Sequence, residues 1–230
     1  DFSPVTWADR LIGDEGTCPR PSFLPQYNAD GTETAGRKIN KLLFFRNRLA
    51  ILSDENIILS RPGSFFDFWS KSAFTVSGVD PIDLSCSSTT PAVLYDGIEV
   101  NTGLVLFSRT QQFMLVTDAD TLTSSTAKIT LLSTYNFLEN TRPVSVGTSI
   151  AFLNDSGTHS RLFEMTRIQR EGQPEILEQS KIIAGQFPTG LQSIADSREN
   201  SLILFREKEK SPNLWGYKYF KRGARRIQSA

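Results

Sequence analysis

The sequence predicts an all-β protein made of β-propeller-like blades of antiparallel strands, preceded by an irregular, Pro-rich N-terminal segment. Three observations carry that expectation. Ser and Thr together number 45 against 13 Ala in 230 residues, a balance that disfavours long helices and suits strands and turns. Short apolar runs alternate with polar breaks in hairpin fashion. The breaks fall near residues 55, 110, 156 and 209, a spacing of about fifty residues, as in the larger propeller repeats. No literal signature recurs at that period, and a β-sandwich has a similar strand density.

Taken in order, residues 1–40 hold four of the eleven Pro and few apolar runs. Within them Tyr27–Arg37 is polar and Gly-rich, which predicts a loop. Residues 41–230 are assigned to the blades. Leu42–Leu52 reads as one strand, and Asp54-Glu55-Asn56 separates it from Ile57–Leu59. Phe65–Lys71 is the one short helix candidate. Leu104–Phe107 and Phe113–Val116 flank a second hairpin loop, and Ile150–Leu153 and Leu162–Ile168 a third. In Lys128–Tyr135, alternation puts Ile129, Leu131 and Tyr135 on one side. Leu202–Phe205 and Leu214–Phe220 form a fourth hairpin, with Trp215, Tyr217 and Tyr219 on one face by period two.

Charge and rare residues narrow the function classes. Twenty-five basic residues balance twenty-five acidic ones, which argues against tight nonspecific nucleic-acid binding. No stretch approaches the ~18 apolar residues of a spanning helix. The single His, His159, removes multi-His metal sites and sits at an expected loop tip. Cys18 and Cys86 lack CxxC spacing and read as free thiols.

Motifs for catalysis fail in detail. Asp155 and Gly157 match a sialidase-type Asp box, but Leu153 stands in the Ser position and Ser160 in the aromatic one. The stretch from Asp118 begins like a calcium loop, but Thr123 and Ile129 occupy the positions that need Gly and Glu. The acidic clusters Asp54-Glu55, Asp80 with Asp83, and Asp118 with Asp120 fit turn chemistry. No GxSxG, P-loop or GxGxxG is present. No enzyme, cofactor or metal site is therefore expected. Lys221-Arg222-Gly223-Ala224-Arg225-Arg226 is the strongest basic run, and fits either a solvated hairpin turn or a contact with an acidic partner. Arg46 and Arg48 flank Asn47 amid strong apolar residues, so they are expected to be paired or at an interface.

Several blocks, in order, resemble one family. They are GDEGTCPRPSF (Gly13–Phe23); FRNRLAILSDENIILSRPGSFFDFW (Phe45–Trp69) with Arg46, Asn47, Arg48, Arg61 and Gly63, similar to an RNRL hairpin followed by SR-x-G and a Phe-rich close; and VDPIDL (Val79–Leu84) with Asp80, Pro81 and Asp83, similar to a DPID element. FSRTQQFML, TLTSSTAKI, NTRPVSVGTSIAF and LWGYKYFKRGARRIQSA follow. The chain resembles the tail tubular protein B, or nozzle protein, family of short-tailed bacteriophages. Cys18 departs from the Asn more usual there, and the family continues with Trp beyond the final QSA. With no initial Met, the chain is expected to be the central part of a longer subunit. The resemblance implies a structural role in the virion tail: a hexameric tube around β-propeller domains, assembled in the host cytoplasm. The tube contacts tail adaptor and tail fibre proteins, and retains and then conducts genomic DNA without tight binding. It also makes Arg46, Arg48, Lys221, Arg222, Arg225 and Arg226 candidates for subunit or partner contacts. A tail-associated polysaccharide-degrading or glycan-binding propeller is the alternative.

Overall fold

The computed structural model describes residues 3–86, 90–117, 121–169, 172–183, 185–197, 199–207, 212–222 and 225–229, with backbone alone at 182, 220–222 and 225–229. The chain is all-β. Its strands form four four-stranded antiparallel sheets, each ordered along the chain as in a propeller blade. Blade 1 holds β1 (Ile39–Phe45), β2 (Arg48–Ser53), β3 (Asn56–Leu59) and β4 (Ile82–Ser85); blade 2 holds β5 (Leu94–Val100), β6 (Gly103–Ser108), β7 (Gln112–Thr117) and β8 (Ala127–Ser133). Blade 3 holds β9 (Val144–Val146), β10 (Ser149–Asp155), β11 (Ser160–Thr166) and β12 (Glu175–Glu178). Blade 4 holds β13 (Leu191–Ser197), β14 (Leu202–Glu207), β15 (Leu214–Arg222) and β16 (Arg225–Ser229). The chain divides into two compact units, one of Asp1–Ser108 with Gln112–Leu131, the other of Arg109–Gln111 with Leu132–Ala230.

The expected single strand over Leu42–Leu52 is two strands. Arg46 and Asn47 both take left-handed backbone, with φ of 47° and 60°, and make the two-residue hairpin turn whose twist matches the flanking strands. Asn tolerates that region through its short polar side chain. The next hairpin is also tight, with Ser53 opposite Asn56. The helix expected at Phe65–Lys71 is instead a chain of turns: Asp67 N–H donates to the Ser64 carbonyl at 3.1 Å, and Arg61 N–H to the Asp67 carbonyl at 2.9 Å. Among the described residues the one helix is a 3-10 turn at Gln179–Ile183. In β8, Leu131 is exposed and Leu132 buried, so the predicted face does not hold along the strand. The Trp215, Tyr217 and Tyr219 face does, since all three pack into the unit's core.

β2 and β3 are buried on both faces, and their side chains divide by period two. Ala50, Leu52, Ile57 and Leu59 join Leu94, Leu104, Leu106 and Phe113 in the core between blades 1 and 2. Leu49, Ile51 and Ile58 face the other way, under Phe68, Phe23 and Phe65. The second face of blade 1 is thus covered by the irregular segment before β1 and the turns after β3. Blades 1, 2 and 4 share a register shift near the start of their first strands, between Ile39 and Lys41, Leu94 and Asp96, and Leu191 and Ser193. These bulges recur in three of the four blades and carry no residue signature. The first strands of blades 1 and 2 are tied by a Lys41–Asp96 ion pair at 2.7 Å and by Asn40 Nδ2 donating to the Leu94 carbonyl at 2.9 Å.

Candidate functional site

Arg46, Asn47, Arg48, Arg61, Gly63, Asp80 and Pro81 gather at the end of blade 1 where β2 begins, and Asp83 lies within β4. Arg48 opens β2 and is 2% exposed. Its Nη1 donates to the carbonyls of Ser60 at 2.8 Å and Asp80 at 2.7 Å. Its Nη2 donates to those of Gly78 and Leu122, each at 3.2 Å. A guanidinium offers five donors in a planar fork, so it can gather several carbonyls around one point. Burial pulls its pKa below the ordinary value, while the Asp80 carboxylate acts in the opposite direction. Arg48 therefore spends its donors inside its own unit. Arg46, two residues earlier, is exposed at the turn, with its guanidinium carbon 5.7 Å from the Phe45 ring centroid.

Asp80 closes the loop between β3 and β4. Its Oδ1 accepts from Lys71 N–H at 3.0 Å, and its Oδ2 from Ser77 N–H at 2.6 Å. Pro81 then starts the return to β4 without needing an N–H partner. Asp83, within β4, holds the N-terminal segment. Its Oδ2 accepts from Ser22 N–H at 2.8 Å, and its Oδ1 from Ser22 Oγ and Asn56 Nδ2, each at 2.9 Å. The PSF and DPID blocks are thus two halves of one contact. Arg61 pairs with Asp67 at 2.8 Å. Gly63, at φ 72°, donates its N–H to the Asn47 carbonyl at 2.9 Å, so the SR-x-G block folds back on the RNRL turn.

Two apolar features flank this frame. A groove of about 500 Å³ is lined by Trp7, Phe23, Ile39, Phe66, Phe68 and Trp69. Trp7 meets Phe66 edge-on with ring centroids 5.5 Å apart, and Phe23 meets Phe68 likewise at 5.4 Å. The Asp80-closed loop projects Phe74, 95% exposed, and Val76, 81% exposed. Sequence reasoning missed both features. The only available signal was an uncharged stretch, Ser72–Val79, without strand or helix period.

The basic run forms the β15–β16 hairpin, with Lys221 opposite Arg226 and Arg222 opposite Arg225; Gly223 and Ala224 lie outside the described residues, as do Asp118 and Asp120. Asp155 serves turns, accepting from Gly157 N–H at 2.8 Å and Gly190 N–H at 3.0 Å. His159 lies in the same hairpin loop, its Nδ1 2.9 Å from Thr158 Oγ1. Among the described residues no three His, Cys, Asp or Glu side chains gather as a metal site. Cys18 and Cys86 are buried and unpaired with each other. Burial, with a smaller contribution from Glu55, pushes the Cys86 thiol up to about 12.

These contacts join the first three of the sequence blocks that carried the family resemblance, and Arg48 adds Leu122 of a fourth. Over 198 residues the chain is 31% identical to tail tubular protein gp12 of Escherichia phage T7, covering 86% of this chain and 23% of that protein. It therefore spans about a quarter of the length of that relative. A model of the bacteriophage nozzle protein family matches residues 1–230, and the chain belongs to that family.

Proposed function

We propose that this chain is a structural part of a short-tailed phage tail, contributing propeller-like blades to a longer nozzle subunit that acts by assembly rather than catalysis. Six such subunits form a tube that retains the genome and then conducts it during ejection, below an adaptor ring and beside the fibres. Subunits are made in the host cytoplasm and end in the virion tail. The observation that carries this reading is the family match over residues 1–230. The physical character of the chain supports it. Zero net charge suits a conduit, because each phosphate contact would add salt-dependent grip on passing DNA. Blades pinned by Arg48, Asp80 and Asp83 give rigid blocks for a ring.

Cryo-electron microscopy of the source particle tests this. Expected is a sixfold tail density into which the four-stranded blades fit. A tail reconstruction resolved to side chains and built wholly from other proteins overturns it.

A further inference from the structure

The second compact unit holds a polar cleft that shares no residue with the blade 1 frame. Its volume is about 310 Å³, and its polar lining includes Arg109, Thr110, Asn136, Asn140, Asn154 and Asp155, all within Arg109–Gln111 and Leu132–Ala230. Three separated stretches are pinned around it. Phe137 N–H donates to the Arg109 carbonyl and Leu138 N–H to the Leu153 carbonyl, each at 2.8 Å. Arg109 Nη2 donates to Glu139 Oε2 at 2.7 Å, and Thr141 Oγ1 to the Leu138 carbonyl at 2.7 Å. Asp155 is held by the N–H groups of Gly157 and Gly190. A cleft framed in this way loses little freedom when a ligand enters.

The chemistry of the lining selects the ligand. The carboxamides of Asn136, Asn140 and Asn154 and the Thr110 hydroxyl make no side-chain hydrogen bond with any described residue. Each carboxamide sets two N–H donors beside a carbonyl acceptor, the pattern that matches hydroxyl groups, which both donate and accept. Asp155 spends two of its about four acceptor sites on backbone N–H groups, so it can also take a hydroxyl. An anion would meet Asp155 and Glu139 against the single charge of Arg109, which Glu139 already engages. A metal ion is unsuited, because no three His, Cys, Asp or Glu side chains gather among the described residues. A quaternary ammonium would need an aromatic face, and Phe137, the ring in this lining, is buried. An apolar group would strip water from the carboxamides without replacing their partners.

We propose that this cleft binds a neutral saccharide of one or two rings, with Asn136, Asn140 and Asn154 bonding its hydroxyls and Asp155 accepting from one of them. The volume stands at the lower end of small-molecule sites, which run from ~300 to ~1,000 Å³, and that limits the ligand to a short one. Uncharged hydrogen bonds that replace bonds to water contribute little each, so the dissociation constant is on the order of 1 mM. The inference goes beyond the assembly reading above and does not rest on it, so sugar binding and tail placement can fail separately.

Saturation-transfer NMR and backbone chemical shifts of the full chain test the proposal. The probes are glucose, galactose, N-acetylglucosamine, rhamnose, maltose and lactose, with inorganic phosphate and choline as charged comparators. At least one sugar should receive saturation, and the shifts it causes should centre on residues 109–110, 136–140 and 154–155. Asn140→Ala/Asn154→Ala should weaken that sugar about tenfold, and Asn136→Ala about threefold. These side chains brace nothing in the fold, so the variants should melt with the parent. Asn200→Ala, between β13 and β14, should bind like the parent. Maltose bound more tightly than glucose, or lactose than galactose, marks a sugar within a chain, and equal binding marks a free sugar; both support the cleft. No transfer to any of these sugars overturns the proposal. So do shifts centred elsewhere, carboxamide variants that bind like the parent, or tighter binding of phosphate or choline at these residues.

Discussion

Each of the two compact units buries a charged residue type, and each solves the problem differently. In the first, Arg48 is surrounded by carbonyls from positions 12 to 74 residues away. In the second, Glu164 on β11 accepts from Gln179 Nε2 at 2.6 Å and from Ser149 Oγ, both 15 residues distant. The guanidinium gathers backbone from β3's end, the Asp80 loop and the stretch before β8. The carboxylate joins neighbouring strands and the short helix of one blade. Reach in sequence, rather than charge alone, separates a brace across blades from one within a blade.

Breaking the wider brace should have the largest effect. Arg48→Met leaves several buried carbonyls without a donor, and should cost about 3–5 kcal/mol of stability in urea melts. Arg48→Lys should recover less than half, because an ammonium lacks the planar fork. Hydrogen exchange should rise at residues 78–80 and 121–123 together. Glu164→Ala should cost less, about 2 kcal/mol, with exchange confined to blade 3. If the Glu164 variant opened residues 78–80 as well, the contrast in reach would be lost.

A smaller effect sharpens the same comparison. Asp83→Ala removes three hydrogen bonds at an exposed carboxylate and should cost about 1 kcal/mol. Its signature is local: faster exchange at the Ser22 amide and quicker proteolysis within residues 10–25. Retained protection there would mean that the aromatic contacts of Phe23 hold the segment alone.

How much of this was legible in the sequence follows the range of the interactions. Hairpins flanked by polar residues, and the one-sided row of Trp215, Tyr217 and Tyr219, are local patterns and could be read directly. Apolar periodicity hid the Arg46-Asn47 turn, because its neighbours are uniformly apolar and its left-handed backbone leaves only the Asn as a cue; the resemblance to an RNRL hairpin was the one signal that marked it. The Arg48 brace was legible as a buried charge in need of partners, but not which, since its acceptors are backbone carbonyls and every residue has one. The groove was illegible because its aromatics come from three separated stretches, around positions 7, 23 and 66–69. Two pairs of the segments that marked the family meet in space, PSF with DPID and RNRL with SR-x-G.

A pH-dependent effect concerns the Cys86 thiol. Cys86 titrates at about 12 in the fold, above the ~8.5 of an unfolded thiol. Its contribution to stability is complete below about pH 8.5 and is lost as pH rises toward the folded value. At pH 8 the folded chain should resist alkylation at Cys86 by iodoacetamide, and react after unfolding. Rapid modification of the native chain would show that the site opens readily.

The most direct test of the structural role is immunogold electron microscopy, with antibody raised against this chain, on intact and DNA-emptied particles from the source lysate. Gold at the tail tip is the expected result. Antibody that binds the free chain well yet leaves both kinds of particle unlabelled would contradict it, and would favour a glycan-binding or polysaccharide-degrading role.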